Sequence, residues 1–166
     1  MDHPSWDPLC DLVLGWRGRV GGRRCIAVGG GVASGKSSVA RRLVARSATP
    51  VAVVAADDFL RSNAELDRRG WSAEKGRPHT YDLDALAGAV DCLMSGESAV
   101  VPVYSHRVYD VVEGTSRRID PAPTVLVEGL HVLAEGCLDP LVDLGVFLDT
   151  PEEIAHRRCL ERIESL

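Results

Sequence analysis

Short apolar runs, each closing on glycine or an acid, alternate along this chain with stretches whose apolar residues recur every three or four positions. Cys25-Ile26-Ala27-Val28, Val51 to Ala55, Thr124 to Val127 and Leu144 to Leu148 are the continuous runs, the pattern of strands buried on both faces. Ser38 to Val44 reads as a helix. Asp82 to Met94 sets Leu83, Leu86, Ala87, Val90, Leu93 and Met94 on one stripe, a surface helix that Gly96 closes. A further helix is expected over Asp7 to Val20, packed outside the main fold. Thr150-Pro151-Glu152-Glu153 has the form of a capping box with proline at the first helical position, and opens a helix with Ala155, Cys159, Ile163 and Leu166 on one side. Ala99 to Tyr104 reads as a strand whose Pro102 marks an edge or an end. The alternating polar stretch Val108 to Ile119, centred on Glu113-Gly114, predicts a β-hairpin flap. Arg61 to Thr80, punctuated by Gly70 and Gly76, predicts a helix and a mobile loop. Strands alternating with helices predict an α/β fold of three layers, α/β/α, with a mostly parallel sheet and a small flap or lid.

One strand-to-helix junction changes the picture from fold to chemistry. Gly30 to Ser37 read Gly-Gly-Val-Ala-Ser-Gly-Lys-Ser, a full match to G-x-x-x-x-G-K-[ST] with an expected strand before it and an expected helix after it. This is the phosphate loop of P-loop nucleoside triphosphatases. Its glycines let the backbone curl so that the N–H groups of Gly30, Gly31, Val32, Ala33, Ser34, Gly35, Lys36, Ser37 and Ser38 converge on one anion at the positive end of a helix. Lys36 adds charge for the outer phosphates, and the Ser37 hydroxyl is a Mg²⁺ ligand. The cofactors implied are ATP and Mg²⁺.

Such a loop holds a phosphoryl donor but does not activate an acceptor, which needs a nearby carboxylate and acids for the metal. Asp57 and Asp58 follow the second strand, and Glu128 ends the strand from Thr124, in a Walker-B-like arrangement. Open α/β folds place ligands beyond these carboxyl ends. Helix caps and turns are the commoner use of such acids. The phosphate loop turns the balance for Asp57 and Glu128 and leaves Asp58 open. Ser37, Asp57 and Glu128 are thus the candidate metal ligands. No N-K-x-D guanine-reading motif follows the loop, and the chain lacks an ABC-type signature and the length of a motor ATPase. A small-molecule kinase is what remains.

Composition narrows the setting. The 166 residues suit one domain, are 45% hydrophobic and 26% charged, and carry a net charge of -5, which argues against general nucleic-acid binding. Five scattered cysteines without C-x-x-C favour reduced thiols, and no run of 18 apolar residues or signal peptide is apparent. The expectation is a cytoplasmic protein with a small-molecule partner, no nucleic acid and no membrane.

Several longer segments resemble the bacterial type I pantothenate kinases, within the phosphoribulokinase and uridine kinase group. They are Asp57-Asp58-Phe59-Leu60, Arg69-Gly70, Lys75-Gly76-Arg77-Pro78 with Tyr81-Asp82, Pro102-Val103-Tyr104-Ser105-His106 with Val108-Tyr109-Asp110-Val111, and Val127-Glu128-Gly129-Leu130-His131-Val132-Leu133. The likeness runs from about Ile26 to Ile163. It implies ATP-dependent phosphorylation of a metabolite hydroxyl, with Lys36 and Ser37 on the triphosphate and Mg²⁺, Asp57 as general base, and Glu128 near the metal. It places His106 on the acceptor and Tyr104 and Tyr109 along the acceptor cleft; Asp58, next to the base, is a further candidate on the substrate side. Residues 61–80 and 105–120 are the expected substrate-side segments, and 1–24 a short N-terminal extension. The chain departs from the resembled family at Asp58, where glycine is usual, and at Leu166, where a longer C-terminal lid is usual. A nucleoside such as uridine is the alternative acceptor, and an ATP-binding module without turnover is the alternative function. A partner chain that completes the site, or a homodimer as is common in that family, is also expected. Arg157, Arg158 and Arg162 either neutralise phosphoryl charge or form a solvated helix face.

Overall fold

A computed structural model describes residues 6–16 and 22–164. Four strands, β1 (Arg24–Gly30), β2 (Val51–Ala55), β5 (Thr124–Gly129) and β6 (Leu144–Leu148), form a parallel sheet in the order β2-β5-β1-β6. These are the four continuous apolar runs, and β1 and β5 are buried nearly throughout. Successive side chains of β1 supply two cores. Cys25 and Ala27 face a cluster with Leu86, Val90 and Leu93 of α4 (Leu83–Ser95). Ile26 and Val28 face Val39, Ala40 and Leu43 of α2 (Lys36–Arg46), together with Cys10 and Val13 of α1 (Asp7–Gly15). The sheet is therefore the middle of three layers.

α1 ends at Gly15, earlier than expected, and it is a working part of the second core rather than an outlier. Residues 17–20 of the predicted helix lie outside the described residues, as does Leu166. Asp82 caps α4 by accepting from the Ala85 N–H at 3.0 Å, and Gly96 ends it in the left-handed region. The segment 61–80 folds as α3 (Asn63–Arg69) and two 3₁₀ turns. Thr150 and Pro151 precede α5 (Glu152–Glu164), and the Thr150 hydroxyl donates to Ser34 O of the phosphate loop.

The flap expected over Val108 to Ile119 is corrected. Glu113-Gly114 is not a turn; the stretch is one strand, β4 (Asp110–Ile119), paired antiparallel with β3 (Ala99–Ser105) in a separate two-stranded sheet. The turn lies at residues 106–109. Pro102 faces Ser116 while Tyr104 faces Val111, so the register slips between them and Glu113-Gly114 sits in a bulge. Pro102 has no N–H to give the ladder, which is where a ribbon of this kind breaks.

Candidate functional site

The parallel register brings the site together before any side chain is considered. Glu128 on β5 lies opposite Val28 of β1 on one side and Ala55 of β2 on the other. The end of β1 runs into the phosphate loop, and the end of β2 runs into a 3₁₀ turn, Ala56–Phe59, that carries Asp57 and Asp58. Gly129 permits that turn to close: a Cβ there would overlap Ala56 Cβ. A larger residue at Gly129 would push Asp57 away from Glu128.

The loop itself needs a second glycine. Gly30 has φ +152°, and a Cβ would lie 2.7 Å from both Leu148 O and Ser34 Oγ. Gly30→Ala is expected to lower the melting temperature by about 4–8 °C, from about 2 kcal/mol of backbone and contact strain, and to weaken nucleotide binding. Thermal unfolding with and without ATP measures both; an unchanged melting temperature would show that the loop relaxes freely.

Lys36 Nζ donates to Gly31 O at 2.6 Å, so the ammonium arches over the loop. Ser37 Oγ donates to Glu128 Oε1 at 2.8 Å. Burial pushes the Glu128 carboxyl above the usual range and the Asp57 charge adds to that, while the Ser37 hydrogen bond and the Lys36 and His106 charges pull it back. Lys36, Ser37, Asp57, His106 and Glu128 line one cleft of about 120 Å³, which Ser38 and Ala33 also border. Asp57 Oδ2 lies 4.0 Å from His106 Nε2, and Asp57 Oδ1 accepts from the Tyr81 hydroxyl at 3.4 Å. Burial first, then the Asp57 charge and hydrogen bond, push the Tyr81 phenol up, which keeps it a donor to that carboxylate.

The other expected residues sit as follows. Asp58 is buried and does not border the cleft; both its oxygens are taken by the β3–β4 ribbon. Tyr104 and Tyr109 lie beside the cleft with His106, the Tyr104 ring 5.2 Å from His106 and 6.3 Å from Tyr109. Gly31 and Val32 are exposed on the loop crest. Arg158 reaches Ser34 O at 3.4 Å and so faces the loop, whereas Arg157 pairs along the exposed face with Glu161.

Sequence reasoning gave no role to Tyr81, Lys75 or Arg117, and read Thr150 only as a helix cap, not as a contact to the phosphate loop. Lys75 Nζ donates to Asn63 Oδ1 and to Tyr109 O, and lies 4.4 Å over the Tyr109 ring and 5.3 Å over Tyr104. Burial lowers its ammonium, with Asp110 and Asp57 opposing. Residues 61–80 and the ribbon turn thus meet on the acid side of the cleft. Lys75 and Tyr81 stand in segments whose likeness was noted, the one trace that pointed to them.

The residues suit a nucleoside triphosphate with Mg²⁺. The Ser34 Oγ is buried within the loop and has no hydrogen-bond partner, and no side chain caps the N-terminus of α2. The donor set for a metal is a hydroxyl and carboxylates, hard oxygen ligands of the type Mg²⁺ prefers. Among the described residues no group of three or more His, Cys, Asp or Glu forms a metal cage. A Mg²⁺ ion here would share its coordination with phosphate and water oxygens, its usual habit. Among the described residues no helix is long and apolar enough to cross a membrane.

Comparison with known proteins agrees with this geometry. Residues 25–164 match the "Phosphoribulokinase / Uridine kinase family". A pantothenate kinase from Coxiella burnetii is 40% identical over 129 residues, covering 74% of this chain and 41% of the relative. One from Rhodopseudomonas palustris is 40% identical over 157 residues, covering 85% and 49%. The chain thus spans about half the length of the curated relatives it matches. Among solved structures, a Silicibacter protein provisionally named a fructose transport system kinase superposes with a TM-score of 0.85 at 26% identity, over 98% of this chain and 83% of that one. A possible uridine kinase from Bacillus stearothermophilus shares the fold with a TM-score of 0.68 at 19% identity, over 96% and 87%.

Proposed function

The chain belongs to the phosphoribulokinase/uridine kinase family, and on that footing we propose that it transfers the terminal phosphoryl group of ATP to a hydroxyl of a small metabolite, with pantothenate the first acceptor to try. The observation that carries the reading is the shared cleft: a phosphate loop on one wall, and the Asp57 carboxylate with His106 on the other.

The loop N–H groups and Lys36 hold the outer phosphates. Ser37 and Glu128, with Asp57 within reach of the same space, would hold Mg²⁺, which when bound neutralises charge on the phosphates. Asp57 accepts the proton of the acceptor hydroxyl as its oxygen forms the new bond to phosphorus. The old phosphorus–oxygen bond breaks with its electron pair on the departing diphosphate. Tyr81 fixes the Asp57 carboxylate through its hydroxyl. His106, Tyr104 and Tyr109 flank the acceptor side, and Arg158 adds positive charge behind the loop.

Pantothenate as acceptor is supported by the 40% identity to pantothenate kinases. ADP release measured across pantothenate, uridine and other nucleosides, and sugars tests the reading. Acceleration by one class names the acceptor. ATP affinity without acceleration by any of them would leave an ATP-binding module.

A further inference from the structure

Asp57 and Asp58 are neighbours with opposite tasks, and we infer that Asp58, through Arg117, is a positioning residue that holds the β3–β4 ribbon, and with it His106 and Tyr104, at the Asp57 carboxylate. The inference rests on the proposed kinase reading and goes beyond it in naming what sets the acceptor wall.

The 3₁₀ turn at the end of β2 points Asp57 into the cleft and Asp58 away from it. The Asp58 side chain is only 10% exposed, and an unpaired carboxylate so placed would be costly. Its partners come from both strands of the ribbon. Oδ1 accepts the Tyr104 N–H at 2.9 Å, and Oδ2 accepts from Arg117 Nη2 at 3.0 Å. Arg117 Nη2 also approaches Val53 O of β2 at 3.4 Å. The carboxylate therefore ties β3, β4 and the sheet edge at one point.

That point is where the ribbon is weakest on its own. Pro102 cannot donate, and the register slips before Tyr104, so the ladder does not run unbroken from the base of the ribbon to its tip. Beyond the slip only Tyr104–Val111 and Ser105–Asp110 pair across the ribbon, so the tip, with His106 and Tyr109, depends also on other anchors. Asp58 supplies the Tyr104 N–H with an acceptor just past the slip. Asp110 supplies a second anchor from the tip, its Oδ1 accepting the Asn63 N–H at 2.9 Å. His106 is two residues from Tyr104, and its 4.0 Å distance to Asp57 is set by where this half of the ribbon lies. Because Asp57 and Asp58 share one short turn, the base and the clamp for the opposite wall move as one piece.

The two ends of the clamp differ in exposure, 10% for the Asp58 side chain and 40% for Arg117. Asp58→Asn leaves an amide oxygen for Tyr104 and an arginine that can turn to water, so this variant folds. Arg117→Met strands a buried carboxylate and is the harsher change.

The test compares wild type, Asp58→Asn and the double variant Asp58→Asn/Arg117→Met, by steady-state kinetics with the acceptor found above and by amide hydrogen exchange over residues 103–111. Asp58→Asn is expected to lower kcat/KM for the acceptor by about tenfold or more, to leave the KM for ATP within about twofold, and to speed exchange in that segment by about tenfold. The double variant should lose little more than Asp58→Asn alone, because the two residues act as one unit. General loosening of the fold would raise the ATP KM as well, and that result overturns the inference. So does unchanged exchange, and so does faster exchange with unchanged acceptor kinetics. Should wild type turn over no acceptor, the proposed function fails and exchange alone decides whether Asp58 clamps the ribbon.

Discussion

Asp57→Asn is expected to lower kcat by about 10²-fold or more while ATP affinity stays within about twofold. The size follows from the usual contribution of a positioned general base, about 10²–10⁴-fold. Geometry makes the substitution clean. Asparagine keeps an oxygen for the Tyr81 hydroxyl, which now lies 3.4 Å from Oδ1, and the half-exposed side chain leaves no buried charge behind. What is lost is the capacity to take a proton beside the phosphate loop. Asp57 also faces the space in which Ser37 and Glu128 would hold Mg²⁺, so its loss can act in two ways. Titrating Mg²⁺ separates them. A rate that stays low at saturating Mg²⁺ assigns Asp57 to the proton; a rate restored by Mg²⁺ assigns it to the metal. A variant as fast as wild type excludes both roles.

Lys36→Ala is expected to weaken ATP binding by about 10²-fold. A charge-assisted hydrogen bond to an anion contributes about 1.5–3 kcal/mol, which is roughly 10- to 10²-fold in a dissociation constant. The Lys36 side chain sits in the loop it serves, its Nζ donating to Gly31 O at 2.6 Å, so little reorganisation is needed to meet phosphate. The fold should survive, since the side chain is only half-buried and alanine is a good helix former at the start of α2. Calorimetric titration with ATP in Mg²⁺ buffer reads the effect. An unchanged affinity would mean that backbone N–H groups alone hold the triphosphate.

β1 and β5 were legible because a strand buried on both faces writes itself as a continuous apolar run; β2 and β6 carry such runs too, although alternate residues of theirs are only partly buried or exposed. Thr124 to Val127 shows this directly, and the structure extends the runs Val51 to Ala55 and Thr124 to Val127 by at most two residues. The ribbon was harder. β4 is exposed over half of its length and buried only at Ile119, so no buried face imposes a period on it, and Glu113-Gly114 has the composition of a turn while serving as a bulge. The true turn ends in Tyr109 at φ +53°, a left-handed residue with no glycine to announce it.

The candidate site divides the same way. The phosphate loop is contiguous, and its chemistry is written in eight successive residues. Asp57 and Glu128 end strands, so the fold class alone predicts that they reach one edge of the sheet. Lys75, Tyr81 and Arg117 arrive by tertiary contact from polar segments, where a lysine, a tyrosine or an arginine is unremarkable in sequence. In sequence Asp58 reads like Asp57, an acid following the second strand. A 3₁₀ turn sends neighbours to different sides, and only coordinates show which carboxylate faces the cleft.

The most direct measurement follows the phosphoryl group itself. ATP labelled in its γ-phosphate is incubated with the protein, Mg²⁺ and pantothenate, then with each other acceptor of the panel, and the label is traced by mass spectrometry. The account predicts label covalently attached to a hydroxyl of one acceptor, in a one-to-one ratio with ADP and greatly reduced in Asp57→Asn. Label recovered only as ATP or as inorganic phosphate, with every acceptor present, would contradict it.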